Sequence, residues 1–188
     1  KAKIIGLANA GGDTINAIKQ GAEFGIVAGG QKFAGLLIFA PDVAALGLKT
    51  AQGLQFTETF YWDLNDGTRA WTKRWQKERN AAGKLPSMNM AGVYSGTLHY
   101  LKAVAALGSA ADGKAVVAKM KAMPAEDSVY GKSTVRADGR VLHPAYLFEV
   151  KKPEESKYPG DLYKLRATIP ADEAFRPLKD GGCPLVSG

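Results

Sequence analysis

KIIGLANAGGDTINAIKQGAEFG, residues 3–25, changes periodicity within a few positions. Ile4 to Ala8 form an apolar run suited to a buried strand, and Asn9-Ala10-Gly11-Gly12 has turn chemistry. From Asp13, a residue type that caps helices, Ile15, Ile18 and Ala22 recur at helical spacing as far as Phe24. Gly25 supplies the left-handed residue that often ends a helix. The stretch therefore reads as a βα unit. In open α/β sheets small ligands settle beyond the carboxyl ends of strands, where helix N-termini present free N–H groups. Asn9 to Asp13 is the first candidate site.

Working outward, a second unit follows. Gly29-Gly30 make a turn, Phe33 to Phe39 (FAGLLIF) predict a strand buried on both faces, and Pro41-Asp42 start a short helix through Leu46. Successive βα units indicate a parallel sheet, to which Gly53 to Trp62 (GLQFTETFYW) adds a third strand. The polar break Asp63 to Gly67 then leads into a helix over Thr68 to Asn80. That helix carries Arg69, Lys73, Arg74, Lys77 and Arg79, with Trp71 and Trp75 on its opposite face. A long helix over about Asn89 to Leu107 is expected to bury Val93, Tyr94, Leu98, Leu101, Val104 and Ala105. A further helix capped by Asp112 turns Val116, Val117 and Met120 inward. The middle of the chain is thus helical without a strand, a composition shift that marks a domain crossing. Strand signals resume at Val129. Asp138-Gly139 predicts a type I′ hairpin turn, Val141 to Val150 a continuous strand, and residues 160–188 mostly irregular chain anchored by Ile169-Pro170, Phe175 and Pro177.

The composition bounds the function. With 188 residues, 46% hydrophobic and 23% charged, the chain buries a sizeable core, and it has no run of roughly 18 to 20 apolar residues of the kind a membrane span needs. Its net charge of +7 favours anionic partners. One cysteine, Cys183, precludes an intrachain disulfide, and with His99 and His143 it gives no zinc spacing, so neither metal nor cofactor is expected. Lys1 stands at a strand edge with no signal-peptide pattern before it, as expected of a processed or truncated chain.

The chemistry points to binding rather than catalysis. ANAGGDT is neither a Walker loop nor G-x-G-x-x-G, so two readings stand: a glycine-lined anion cradle, or a tight turn that simply needs glycine. No nucleophile elbow exists; Ser95 lies within a helical pattern and reads as a packing residue, and His99 and His143 read as structural. Asp63, Asn65 and Asp66 read as turn and cap, because no glutamate completes a calcium loop. The basic residues near Trp71 and Trp75 read as a solvated face with the tryptophans packed inward, and no nucleic-acid partner is expected. Phe39, Tyr61, Trp62, Met88 and Met90 all stand at element ends, where apolar walls line small-molecule clefts.

At this point the sequence resembles the periplasmic substrate-binding proteins of branched-chain amino-acid (Leu/Ile/Val-type) ABC transporters. The stretches that carry the resemblance are IIGLANAGGDTINAIKQGAEFGI, GLQFTETFYWDLND, MNMAGVYSGTLHYLKAVAALG, VRADGRVLHPAYLFEVKKPEES and DEAFRPLKDGGCPLV. The resemblance implies a type I periplasmic-binding-protein fold, α/β with two Rossmann-like lobes, and a non-enzymatic receptor for a small-molecule solute. This chain would be its later half, with the N-terminal half of the same protein and a membrane permease as partners. Residues 1–62 would supply second-lobe βα units and 63–128 first-lobe helices. Residues 129–188 would return to the second lobe, with hinge crossings at Asp63–Gly67 and Pro124–Ser128. Ligand loops would fall on Asn9, Ala10, Gly11 and Asp13, on Phe39, Ala40 and Pro41, and on Met88, Asn89 and Met90, with Tyr61 beside them. Amino-acid binders of the family place an aromatic residue in the first loop and a carboxylate in the second. Ala10 and the acid-free Leu36 to Pro41 depart from that pattern, so an aromatic or other amino-group-free carboxylate is the favoured solute. Amino acids, amides, a receptor's sensing domain and an α/β enzyme remain the alternatives.

Overall fold

The chain begins as its first residues dictate. The computed structural model describes residues 2–184 and 186; Lys1, expected at a strand edge, lies outside the described residues, as do Leu185, Ser187 and Gly188. Strand β1 (Ile4–Leu7) runs into helix α1 (Gly12–Glu23), and β2 (Lys32–Gly35) into α2 (Ala40–Leu46) and the one-turn α3 (Leu48–Ala51). β3 (Gln55–Glu58) follows. β1, β2 and β3 are parallel neighbours, as the repeated βα pattern predicts.

Helix α1 starts one residue before the expected position. Asp13 is not its cap: Gly11 occupies that position at φ 56°, ψ −131°, a conformation open to glycine, and Asp13 falls in the first turn. Its buried face is Thr14, Ile18 and Gly21, while Ala22 is exposed. Gly21 is required by packing, since a Cβ there would lie 2.3 Å from Cζ of Phe33. The glycine lets that phenylalanine bury beneath the helix, a contribution of about 2 to 3 kcal/mol.

The second strand is shorter than its apolar run. β2 ends at Gly35, and Leu36 and Leu37 are 69% and 44% exposed where the chain leaves the sheet. The helical middle is α4 (Asp66–Glu78), α5 (Met88–Leu107) and α6 (Gly113–Ala122). Asn65 caps α4, accepting from the Thr68 N–H at 3.0 Å, and Asp112 caps α6 through the N–H groups of Lys114 and Ala115. On α5 the expected buried stripe is displaced. Ala91, Ser95, His99 and Ala103 face inward, whereas Val93 and Leu101 are 71% and 54% exposed, and Ala105 is also exposed. Both sides of this helix are apolar, so periodicity does not choose between them. On α6, Val116 is buried but Val117 is exposed.

The last third departs most from expectation. β4 (Ala125–Asp127), β5 (Gly131–Val135) and β6 (Val141–Leu142) form a small antiparallel sheet, with α5 against β4 and α6 against β5. The hairpin at Asp138-Gly139 is not type I′. Only Gly139 has positive φ, and its N–H bonds the Arg136 carbonyl at 2.8 Å, giving a type I turn closed by a left-handed glycine. Pro144 splits the expected Val141–Val150 strand, so the chain re-enters the main sheet only at β7 (Ala145–Val150). β8 (Tyr163–Ile169) lies in the stretch expected to be irregular and forms the sheet's outer edge, giving the order β1-β2-β3-β7-β8. Phe56, Tyr61, Phe148 and Tyr163 stack within the core, with Tyr61 and Tyr163 centroids 4.5 Å apart. Phe60, Trp71, Ala91 and Val129 make a second core under the middle helices.

The 63–67 segment, between β3 and α4, meets the end of β4, which belongs to the small sheet, and the chain rejoins the main sheet only at β7. A Cβ on Gly67 would lie 2.7 Å from the Ser128 carbonyl oxygen, so the 63–67 and 124–128 segments meet backbone to backbone. Among the described residues, no helix is long and apolar enough to cross a membrane.

Candidate functional site

The register of the main sheet decides which loops share an edge. Leu7 pairs with Gly35, and the Leu36 N–H donates to the Leu7 carbonyl at 3.1 Å, so the loop after β1 and the loop after β2 leave together. Asn9 is half-buried and Ala10, Gly11 and Asp13 are exposed. The Thr14 hydroxyl donates to Asn9 Oδ1 at 2.9 Å, which pins the loop to the first turn of α1 and leaves the Asn9 amide NH2 as its outward donor. The Ile15 N–H is taken by the Gly11 carbonyl, while the earlier N–H groups of the first turn are the ones a helix leaves without internal partners. This loop therefore offers mainly donors, and its one acid, Asp13, is on the surface.

The second loop offers no free carboxylate. The Phe39 N–H donates to Asp42 Oδ2 at 3.0 Å, so Asp42 caps α2. Phe39 is half-buried and Pro41 exposed, but Ala40 is 2% exposed and packs in the core. Tyr61 is likewise a core residue, 5% exposed. Its hydroxyl donates to the Gly160 carbonyl at 2.8 Å and accepts from the Leu162 N–H at 3.0 Å, so the side chain is spoken for. Desolvation by burial raises its pKa, against the Leu162 N–H bond, which lowers it.

At the N-terminus of α5, Ser87 Oγ accepts from the Asn89 N–H at 3.3 Å and Ser87 donates to Met90 Sδ. Asn89 and Met90 are exposed and Met88 half-buried. Pro41 and Met90 line one groove of about 750 Å³, walled also by Trp62 and Trp75. The loop of Asn9 to Gly11 is not part of that groove.

Glu58, at the end of β3, was not singled out by sequence. It is 1% exposed, its Oε1 accepts from the Tyr163 hydroxyl at 3.3 Å, and its Oε2 has no hydrogen-bond partner. Desolvation raises its pKa from 4.5 to about 8, against hydrogen bonds from Tyr163 and the Met88 N–H. The signal was present: Leu54, Phe56, Glu58 and Phe60 alternate toward the interior, so the acid shares the parity of buried apolar residues.

The residues considered for catalysis have structural partners. Ser95 Oγ donates to Asp127 at 2.5 Å, and His99 Nε2 meets the Met120 carbonyl at 2.8 Å. His143 stacks on Tyr130 at 4.5 Å, and burial lowers its pKa. Arg69 pairs with Asp63 and Asp66 at 2.8 and 2.6 Å, which uses those carboxylates as turn and cap. Trp71 is 3% exposed beneath the basic face of α4. Cys183 is a free thiol.

A family model described as periplasmic binding protein matches residues 1–157. A periplasmic binding protein from Burkholderia mallei is 47% identical over 99% of this chain and 48% of its own, with a TM-score of 0.89. A branched chain amino acid ABC transporter periplasmic ligand-binding protein from Burkholderia xenovorans is 39% identical over 98% of this chain and 48% of its own, with a TM-score of 0.85. A solute binding protein of an ABC transporter from Rhodopseudomonas palustris, in complex with 3,4-dihydroxy benzoic acid, shares the fold at 23% identity, covering 90% of this chain and 45% of its own with a TM-score of 0.73. The chain spans about half the length of these solved structures. No curated protein matches the sequence.

Proposed function

The chain belongs to the periplasmic binding protein family, and from that premise we propose that it is the later half of a periplasmic receptor for an ABC importer, closing two lobes around a small carboxylate without an amino group. Its mixed α/β architecture, with parallel β1 to β3, is that of type I periplasmic binding proteins. The family consists of solute-binding proteins, so the site acts by holding its ligand and handing it to a membrane permease.

The observation that carries the choice of ligand is the donor character of the first loop. Asn9 spends its acceptor on Thr14 and keeps its NH2, the α1 N-terminus adds N–H groups, and the only acid of the second loop caps α2. A carboxylate is matched by the Asn9 NH2 and the α1 N–H groups, while the one acid of the first loop, Asp13, is on the surface. Ala10 leaves space for a flat ring, and Leu36, Leu37 and Phe39 supply apolar walls at the same edge. Asn9, Ala10, Gly11, Phe39, Pro41, Asn89 and Met90 are the contact residues we assign. Tyr61 and Ala40 support them from the core.

The outer face of α5 supports the missing half. Met90, Val93, Leu101 and Leu107 are 41%, 71%, 54% and 42% exposed along one side of α5, away from the buried Ala91, Ser95, His99 and Ala103, a stripe suited to a further layer of the first lobe. In this arrangement α4 to α6 and the small sheet belong to the first lobe, the chain returns to the second at β7, and the crossings are the Asp63–Gly67 segment and His143-Pro144 between β6 and β7.

A second reading, an amino acid as solute, is favoured by the description of the Burkholderia xenovorans relative. The two are separated by thermal shift of the intact receptor, both halves present, against benzoate and hydroxybenzoates, aliphatic amino acids and amides, since a specific ligand stabilises by mass action. Stabilisation by leucine or valine and by no aromatic acid refutes the carboxylate reading.

A further inference from the structure

The loop between β7 and β8, residues 151–162, belongs by position to the main sheet, yet its contacts run to the chain that leaves that sheet after β3. The Gly160 carbonyl accepts from the Tyr61 hydroxyl at 2.8 Å and from the Trp62 indole N–H at 2.9 Å, so one acceptor holds two neighbouring side chains. Gly160 sits at φ 84°, and a Cβ there would lie 3.2 Å from the Trp62 ring, so only glycine allows this grip. Trp62 in turn packs against both hydrophobic cores, alone in doing so among the described residues.

A second contact of the same loop lies further out. The Tyr158 ring stands edge-on to Trp62, with centroids 6.4 Å apart, and its hydroxyl donates to Asp63 Oδ2. Asp63 Oδ1 accepts from Arg69 Nη1 at 2.8 Å, and Arg69 lies in the first turn of α4. One carboxylate therefore takes a bond from the main-sheet body on one oxygen and from the helical body on the other. The bond to Asp63 pushes the Tyr158 phenol up to about 12, so it remains a donor at neutral pH. The two contacts differ in access to water. Tyr61 is 5% exposed, whereas Tyr158 is 47% exposed and the Arg69 side chain 39%, so the outer bond can open with its groups rehydrated. Among the described residues the second crossing is held by ring packing instead, His143 lying between Tyr130 and Phe175.

We propose that the β7–β8 loop is a clasp across the first crossing, with Gly160 as its fixed half on Trp62 and Tyr158 as its releasable half, closing on Asp63 and Arg69 to favour one angle between the main-sheet body and the helical body. A hydrogen bond tolerates little change of length, so turning α4 away from the sheet breaks the outer contact while the inner one stays. The bond then biases a population of angles in proportion to what it contributes in one of them. The inference rests on the reading of the two bodies as lobes.

The test reads the angle directly in the intact, solute-free receptor. Spin labels at K19C on α1 and K114C on α6, in a C183S background, report the distance between the bodies by pulsed electron spin resonance. Tyr158→Phe keeps the ring on Trp62 and removes only the hydroxyl. The expected result is a second distance population that grows about three- to tenfold over wild type. D63A gives at least that growth, and Y158F with D63A gives no more than D63A alone, because both remove the same bond. P144G, which loosens the second crossing, is the reference for lobe motion. Broadening in P144G with wild-type distances in Y158F and D63A overturns the clasp and leaves the lobes standing. Additive growth in the double variant overturns the shared bond. One narrow distance in every variant, P144G included, means a single rigid body and overturns both readings.

Discussion

Glu58→Gln tests whether the carboxyl buried at the end of β3 is neutral in the folded protein. The side chain is 1% exposed, beside Tyr163 and the N-terminus of α5, and its pKa is raised from 4.5 to about 8, chiefly by desolvation. The folded pKa lies above the unfolded one, so the unfolded chain loses this proton first as pH rises. The neutral acid costs nothing below the unfolded value, and stability declines through the window from 4.5 to about 8. Integrated between about pH 5 and pH 7.5, the linkage amounts to roughly 3 kcal/mol. Glutamine has the same shape and does not titrate, yet its NH2 replaces an oxygen that already lacks a partner, at about 1 kcal/mol in either direction. The slope is therefore the decisive quantity rather than the absolute level. Urea unfolding across this range should show the wild-type midpoint falling relative to E58Q by an amount equivalent to roughly 3 kcal/mol. His143, whose pKa burial lowers, titrates in both proteins and cancels in the difference. Parallel pH profiles for the two proteins would refute the reasoning and mean that Glu58 is ionised in place.

Three further outcomes follow from particular contacts. Gly21→Ala places a methyl 2.3 Å from the Phe33 ring and should lower stability by about 1 to 3 kcal/mol in urea melts. Tyr61→Phe removes the hydroxyl shared by Gly160 and Leu162 and should cost about 1 to 3 kcal/mol, with calorimetric solute affinity unchanged because the ring lies in the core. Asn9→Ala should weaken solute binding by about tenfold in calorimetry, the equivalent of one lost hydrogen bond to a charged group, while changing the melting temperature of the solute-free receptor little.

The front of the chain was legible because each change of period coincides with a glycine or a turn. β1, α1, β2 and α2 all follow from it. Where the reading fell short, a local rule met a tertiary choice. FAGLLIF promises a long strand, but nothing in it says that Leu36 and Leu37 are to stand exposed beyond Gly35 rather than pack in the sheet. β8 was hidden because an edge strand with one solvated face carries Lys164, Arg166 and Thr168, which read as loop. The orientation of α5 was ambiguous because residues on both its faces are apolar. Of the candidate site, Asn9 to Gly11 follow from the βα pattern, whereas Phe39 to Pro41 as a ligand loop come from the family resemblance. That Tyr61 turns inward instead depends on Gly160 and Leu162, distant in sequence.

The contact of Gly67 with the Ser128 carbonyl has a mechanical meaning. With only a hydrogen where other residues carry Cβ, Gly67 lets the first turn of α4 seat its main chain against the end of β4, with the Asn65 side chain beside the same point. A single added methyl there would meet the Ser128 carbonyl oxygen at 2.7 Å and act as a wedge that prises the first turn of α4 away from the small sheet. The seat of that helix against the small sheet is in this way set by the absence of one carbon atom rather than by any side chain.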